Sequence, residues 1–259
     1  MTKKHTLAAL AALTVTVIPL FAGPPAAPAP APSSDWEFRI GLPLWGGVPY
    51  SGDAETGGIA SSVDVSISDI LKRIDMAAAL CFEARRGRWA FLGDALYLRL
   101  SDSVEPRGPL INSARLEIEQ TLVNLAVSYR IVDEEAWKLD ASLGARYNRI
   151  GLEFDVDFAP GRIGDRNVDG SESWVDPIVG LQLRAKVCTP VTFVAKGDVG
   201  GFGVGSDITW QAYAGLEFQL SSNIWAGLGW RHLHTDYNDG AFNYDVSTTG
   251  PVLEFGVNF

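Results

Sequence analysis

The residues with the clearest potential for chemistry lie in one acidic segment, where oxygen-bearing side chains recur at alternate positions. Asp165, Asn167 and Asp169 are followed directly by Gly170, which can form the tight turn that an ion-binding loop needs. Asp176 follows further along the same segment. Carboxylate and amide oxygens at such a spacing are the ligands that Ca²⁺ prefers in proteins. The segment therefore predicts a calcium loop formed by Asp165, Asn167, Asp169 and Asp176.

This pattern resembles the beginning of an EF-hand calcium loop, but it departs from that family at two positions. Glu172 stands where the family has an apolar residue, and Asp176 replaces the bidentate Glu at the end of the loop. No helical pattern flanks the segment. These departures favour the alternative interpretation, an acidic and turn-rich surface loop. The sequence predicts no other metal or cofactor.

Two histidines form a second candidate site. His232, His234 and Asp236 share one face of a predicted strand near its outer end, next to Trp230. Imidazoles at strand spacing can bind a metal ion or act as acid and base. The same residues also suit a belt at a membrane surface that touches lipopolysaccharide headgroups, which is the interpretation we favour. We assign no catalytic residue.

The glycine-rich stretch Gly200 to Ser206 superficially resembles a nucleotide-binding loop. A phosphate-binding loop of that kind needs a helix directly after it, because the helix N-terminus holds the phosphate groups. No helical pattern follows Ser206. The stretch is therefore predicted to be a hairpin turn.

The elements that position these residues are β-strands. From Trp36 onward, apolar and polar residues alternate in ten segments, which is the period of a strand with one apolar face. The predicted strands span residues 36–45, 76–86, 88–100, 114–130, 136–153, 174–187, 191–203, 207–220, 224–237 and 243–259. Their connections alternate between short and long, as in antiparallel barrels of the bacterial outer membrane. The prediction is an all-β, up-and-down barrel, with eight strands as the alternative count.

The first long connection contains two further signals. Ser68 caps a run to Ile74 with apolar residues at helical spacing, which predicts a short helix in this extracellular loop. Val63, Val65 and Ile67 alternate like a short strand. A strand there that joined the wall would change the count of ten.

Aromatic residues recur at intervals that fit a membrane. Trp89 and Tyr97 lie on one face of their strand, as do Trp137 with Tyr147 and Trp210 with Phe218. Eight to ten residues of a tilted strand rise about 20–25 Å, the distance between the two aromatic belts of such barrels. Loops over 101–113 and 154–173 would then lie outside the cell.

The polar faces of the strands carry charges of both signs. A charged side chain in contact with lipid costs about 2–4 kcal/mol at the midplane, so these residues are predicted to face the lumen. The acidic set is Glu83, Asp94, Asp140, Asp176, Asp198, Glu217 and Glu254, and the basic set is Arg85, Lys138, Arg146, Arg184, Lys186, Lys196 and Arg231. Equal numbers predict a salt-bridged, filled interior.

The amino terminus fits an exported protein. Basic residues precede an apolar run that ends at residue 22, which predicts a signal peptide over 1–22 and a Pro/Ala-rich linker over 23–35. The formal charge of −10 becomes −12 when Lys3 and Lys4 are removed, which argues against nucleic-acid binding. Cys81 and Cys188 lie on strands placed far apart, so two free thiols are expected.

The last strand places Leu253, Phe255, Val257 and Phe259 on one face and ends the chain on an aromatic residue. This ending resembles that of small outer-membrane barrels of the OmpA, OmpW and opacity types, and the resemblance covers residues 36–259. It implies a bacterial outer-membrane location, contact with lipid and lipopolysaccharide, and recognition of Phe259 by the barrel-insertion machinery. A structural or surface-interaction role is expected, with a narrow solute channel and a surface hydrolase as alternatives.

Overall fold

A computed structural model describes residues 36–45, 50–56, 59–65, 74–104, 111–158, 166–240 and 242–259. The predicted signal peptide (1–22) and linker (23–35) lie outside these residues. So does the predicted loop helix, except for Ile74, which begins a strand. Within the described part of the chain, no helix is long and apolar enough to cross a membrane.

The described residues form twelve strands. Their bounds are β1 Glu37–Trp45, β2 Tyr50–Thr56, β3 Ile59–Val65, β4 Ile74–Arg86, β5 Trp89–Val104, β6 Ile111–Asp133, β7 Trp137–Phe158, β8 Arg166–Cys188, β9 Val191–Gly201, β10 Ile208–Gln219, β11 Ile224–Asn238 and β12 Phe242–Asn258.

Ten of these strands close into an antiparallel barrel. β4 to β12 pair in chain order, and β1 pairs with both β4 and β12, which completes the circuit. The predicted count of ten is confirmed, and the alternative of eight is wrong. The predicted short strand at Val63 and Val65 is part of β3, but the β2–β3 hairpin pairs with the outer half of β12 and adds no member to the closed ring.

A proline marks the end of the ladder between β1 and β4. Phe38 and Phe259 exchange both backbone hydrogen bonds, at 2.8 and 3.0 Å, so the odd-numbered residues of β1 turn their N–H groups toward β4. Pro43 occupies one of these positions and has no N–H to donate. Pairing with β4 accordingly stops at Gly41 and Cys81. The upper part of β1 is therefore held by β12 alone among the described strands.

The two faces of the wall follow the predicted register. Leu143 is 65% exposed on the outside, whereas Arg146 on the same strand is fully buried inside. Large apolar residues cover the outer surface of many strands, among them Leu42, Leu80, Leu125, Leu181, Leu228, Leu253 and Phe255. The barrel is thus apolar outside and polar inside, the reverse of a soluble protein.

Aromatic rings collect at both ends of this apolar band. We call the end that carries Glu37 and Phe259 the terminal end, and the opposite end the far end. At the terminal end Trp89 packs edge-on against Tyr129, with ring centroids 4.8 Å apart, and Phe38 stacks on Phe259 at 6.0 Å. Toward the far end Trp210 is exposed on the outer surface. The predicted outward orientation of these rings is confirmed.

The wall is taller on one side than on the other. β6, β7 and β8 contain 22 to 23 residues, whereas β9 and β10 contain 11 to 12. A tilted strand needs only about 9–11 residues to cross a bilayer. The predicted loop over 154–173 was wrong at both ends, because β7 continues to Phe158 and β8 already begins at Arg166. The predicted loop over 101–113 was wrong at both ends in the same way, because β5 continues to Val104 and β6 begins at Ile111. β6 to β8 therefore extend the wall well beyond the apolar band.

Candidate functional site in the barrel lumen

Charged side chains cross the lumen in successive layers, and the first lies at the terminal end. Asp140 of β7 accepts hydrogen bonds from Arg85 of β4 at 2.7 Å and from Arg130 of β6 at 2.9 Å. Arg85 also donates to Glu83 at 2.8 Å. The carboxylate of Asp140 is almost completely buried. This layer ties β4 to β6 and β7 across the interior.

A second layer is centred on Glu217 of β10. Arg184 of β8 donates to both of its carboxylate oxygens, one of them at 2.9 Å. Arg39 of β1 donates to the same carboxylate from another direction at 3.0 Å. One carboxylate held by two guanidinium groups is a strong arrangement because each hydrogen bond is charge-assisted. It connects β1, β8 and β10.

The third layer lies near mid-height and depends on Arg146. Its guanidinium is fully buried and donates to Asn124 at 2.8 Å, to Thr209 at 2.9 Å and to Asp198 at 2.6 Å. These partners lie on β6, β10 and β9, so one side chain of β7 reaches three other strands. Each of the three guanidinium nitrogens donates one hydrogen bond, which compensates the burial of the charge.

The far end of the lumen is apolar. Trp174 of β8 stacks on Tyr237 of β11 with ring centroids 4.0 Å apart, although two strands lie between them in the wall. Around this pair pack Leu98, Leu100, Ile150, Phe242, Tyr244 and Val246. The lumen is thus filled by the wall's own side chains at several levels. A cavity of about 180 Å³ remains among the charged layers.

The predicted lumen charges are largely confirmed, with two replacements. Lys138 bonds to Asp133 at 2.9 Å and Lys186 reaches Glu135 at 3.7 Å, both in exposed pairs at the rim of the terminal end. Arg39 and Arg130 instead take part in the layers. The sequence analysis missed these two arginines. Each lies between apolar outward-facing residues of its strand, and this alternation was the signal that could have revealed them.

Three of the four predicted calcium residues lie along a single strand, β8. Asp165 lies outside the described residues, and Asn167 and Asp169 pair with Asp155 and Glu153 in the ladder to β7. Asp176 lies nine residues after Asn167 on the same strand, a distance of about 30 Å in an extended chain.

The carboxylate of Asp176 is already engaged inside the barrel. It accepts hydrogen bonds from the Ser206 N–H at 2.6 Å and from the Trp174 indole N–H at 3.1 Å. The geometry separates it from the acidic positions near the far end. Calcium binding by those outer positions stays a prediction. Among the described residues, no group of three or more His, Cys, Asp or Glu side chains is arranged to hold a metal ion.

The histidine pair lies on the outside of the wall. The ring of His232 packs on Trp210 with centroids 4.6 Å apart, and Nδ1 of His234 lies 3.0 Å from the Ser247 hydroxyl. The strand turns both rings away from the lumen, where the buried carboxylates are. The aromatic and hydroxyl neighbours of the two histidines are typical of a belt at the barrel surface.

The glycine-rich stretch forms the tight turn between β9 and β10. The Val204 N–H donates to the Gly201 carbonyl at 3.0 Å, and the Gly203 N–H donates to Ser206 at 3.1 Å. Gly201 and Gly203 have φ values of +87° and +73°, which favour glycine. The turn prediction is confirmed. Both cysteines are also free, as expected.

Comparisons with known proteins agree with this architecture. No family model matches the chain, and no curated protein matches it. Among solved structures, the chain is similar to the outer-membrane protease OmpT of Escherichia coli, with 10% identity, a TM-score of 0.50, and coverage of 90% of this chain and 99% of that one.

Two further solved structures are similar at lower scores. Ail, the attachment invasion locus protein of Yersinia pestis, shows 14% identity and a TM-score of 0.36 over 86% of this chain and 97% of that one. The toluene transporter TodX of P. putida shows 10% identity and a TM-score of 0.30 over 88% and 91%. Such identities bear on the fold alone. The chain has the fold of the small outer-membrane β-barrels.

Proposed function

We propose that this protein is a bacterial outer-membrane barrel with a structural or surface-interaction role. The observation that carries the proposal is the filled lumen. Arg146 and the layers around Asp140 and Glu217 occupy the space through which a wide pore would conduct. A barrel of ten strands leaves little room inside once its side chains are placed.

The outer surface supports the location. The apolar band ends in aromatic rings at both of its edges, as in barrels that span a lipid bilayer. Glu37 and Phe259 lie at the terminal end, which in this proposal faces the periplasm, and the tall side of β6 to β8 extends outside the cell. Lipopolysaccharide would contact the outer belt at Trp210, Trp230 and His232.

Phe259 supports a role for the insertion machinery as an assembly partner. Its side chain is 63% exposed on the outer face of the barrel. Its backbone exchanges hydrogen bonds with Phe38, so the residue forms the last pair of the closing ladder. A terminal aromatic ring exposed at this seam is accessible to a protein that guides closure.

A narrow solute channel is the second candidate, and the cavity among the layers favours it. Lys196 is exposed although it faces inward, so solvent reaches at least part of the interior. A surface hydrolase has weaker support, because His232 and His234 face away from the buried carboxylates.

Planar-bilayer recordings of the refolded protein distinguish the two leading roles. A filled barrel should give no discrete openings over a range of voltages. A variant with Arg146→Ala and Arg231→Ala, which removes two side chains that cross the lumen, should conduct if the layers are what blocks the path. Stable ion-selective openings by the unmodified protein would overturn the structural role and favour the channel.

A further inference from the structure

Two charged side chains in the lumen are left unused by the salt-bridged layers. Lys196 of β9 and Glu254 of β12 both line the cavity. Within the described residues, neither side chain forms a hydrogen bond or an ion pair, and the Lys196 ammonium lies 5.3 Å from the centre of the Tyr213 ring. Glu254 is only 7% exposed. The other charged side chains that line this cavity are ion-paired.

The buried carboxylate of Glu254 is unfavourable without a partner, because it loses hydration and gains nothing in return. Lys196 is exposed to solvent, so its ammonium group is open to a ligand. Lys196 and Glu254 carry opposite charges and line the same cavity, yet no ion pair joins them. A molecule that carries both a positive and a negative group would satisfy both side chains at once. A molecule with a single charge would satisfy only one of them.

Two aromatic rings in the wall of the cavity pack closely against glycines. A Cβ atom on Gly229 would lie 2.7 Å from the ring of Tyr213, and one on Gly256 would lie 2.5 Å from the ring of Trp225. The Tyr213 hydroxyl and the Trp225 indole nitrogen are both buried without a hydrogen-bond partner. The unused Tyr213 hydroxyl beside Lys196 favours a carboxylate in the cavity.

We propose that the cavity binds a small zwitterion. The carboxylate of the ligand contacts Lys196 and the Tyr213 hydroxyl, and its ammonium group contacts Glu254. The volume of about 180 Å³ fits this class, since a cavity of about 150 Å³ admits benzene and a short amino acid is of similar size. The site does not depend on whether the barrel conducts, because binding requires only that solvent reach Lys196.

Isothermal titration of the refolded full-length protein in detergent tests this proposal. The probes are 4-aminobutyrate, butyrate and butylamine, which share a carbon skeleton and differ in charge. Glycine is included as the smallest zwitterion. We expect saturable binding of at least one zwitterion, and binding of butyrate and butylamine weaker by about tenfold or more, since each loses one charged hydrogen bond.

Variants locate the binding in the cavity. Lys196→Met and Glu254→Gln should each weaken zwitterion binding by about tenfold. Lys138→Met and Glu135→Gln change the same residue types in exposed pairs at the terminal end, and they should leave binding unchanged. A gel shift on boiling confirms that each variant is folded.

Three results would overturn the proposal. They are the absence of saturable binding with both zwitterions, equal affinity for butylamine or butyrate, and undiminished binding by both cavity variants. If a variant does not fold, the comparison of the three matched probes on the unmodified protein decides alone. A barrel that conducts but binds no zwitterion would contradict this inference without restoring the structural role, so the two failures are distinguishable.

Discussion

Arg231 of β11 donates a hydrogen bond to Asp94 of β5 across the width of the barrel, at 3.2 Å, although 137 residues separate them in the chain. The same guanidinium also bonds to Gln211 at 2.8 Å. Asp94 receives a second hydrogen bond from Asn124 at 3.0 Å. Opposite sides of the wall are thus connected by side chains alone, and the lumen serves as the core of this fold.

The first prediction concerns the carboxylate at the centre of the layer nearest the termini. Asp140→Asn should lower the free energy of unfolding by about 3 kcal/mol, because Arg85 and Arg130 lose a buried counter-charge. Urea unfolding in lipid or detergent measures the change. Glu135→Gln is the control, since its pair with Lys186 is exposed, and it should cost less than about 1 kcal/mol. Similar losses in both variants would contradict the structural role of the layer.

The second prediction concerns the register of β7. Leu143→Arg should reduce membrane insertion strongly, because residue 143 faces lipid and an arginine there costs about 2–4 kcal/mol. Ser142→Arg places the same charge beside the cavity and should be tolerated better. The amount of heat-modifiable protein in membrane fractions measures insertion. Equal tolerance of both changes would show a register shifted by one residue.

The third prediction concerns the glycines beneath Trp225. Gly256→Ala should destabilise the barrel by about 1–3 kcal/mol, because the new Cβ would lie 2.5 Å from both the indole ring and the Ile40 carbonyl oxygen. Gly93→Ala adds the same methyl group where the nearest atom is 3.6 Å away, so it should be close to neutral. Thermal unfolding of both variants in detergent provides the comparison. If Gly256→Ala has the same melting temperature as the unmodified protein, the close packing of Trp225 does not determine the stability of the fold.

The fourth prediction concerns cations at the tall side of the wall. Glu117 is the ladder partner of Glu153, which is in turn the partner of Asp169, so three acidic positions adjoin on neighbouring strands. Arg99 forms an ion pair with Glu117, but the row of positions as a whole is acidic, and calcium at about 1 mM should raise the melting temperature.

Two controls separate a specific site from diffuse screening. A site predicts saturation, and loss of the effect in Asp165→Ala or Asp169→Ala. Screening predicts that sodium at matched ionic strength acts equally well. No response to either ion would remove this segment from consideration.

The fifth prediction concerns the terminal ring. Phe259→Ala keeps the backbone pair with Phe38 but removes the ring that stacks at 6.0 Å. It should lower the yield of inserted barrel in cells several-fold while changing unfolding in detergent little, if the insertion machinery reads this ring. Phe255→Ala removes an outward ring from the same strand and is the control. Equal yields would argue against a special role for the last residue.

The sequence predicted the barrel well wherever alternation alone decides the structure. The inward position of Arg146 and the outward position of Leu143 follow from a period of two and from the cost of charge in lipid. The partners of Arg146 were not predictable in this way. They depend on the stagger of the strands around the barrel, which brings Thr209 of β10 to the height of Arg146 on β7. This stagger has no local signature in the sequence.

The far end of the wall was predicted less well for a related reason. Lipid imposes alternation only within the apolar band, and beyond it polar residues can occupy both faces of a strand. The segment from Phe154 to Phe158 still alternates, but its apolar residues stand at even positions instead of the odd positions used by Leu143, so it was mistaken for a loop although it pairs with β6. The β2–β3 hairpin was missed over most of its length because its residues are small and polar.

The layers also have a consequence for assembly. Hairpins such as β10–β11 can form from residues that are close in the chain, but Arg39 and Glu217 are 178 residues apart and meet only when the ring is complete. An open sheet of the same strands would separate Arg39 from Glu217 and Arg231 from Asp94. Closure and ion pairing must therefore happen together, which makes the last step of folding cooperative and slow. Once closed, the barrel can reopen only by breaking many pairs at once, so its lifetime is expected to be set by a high kinetic barrier.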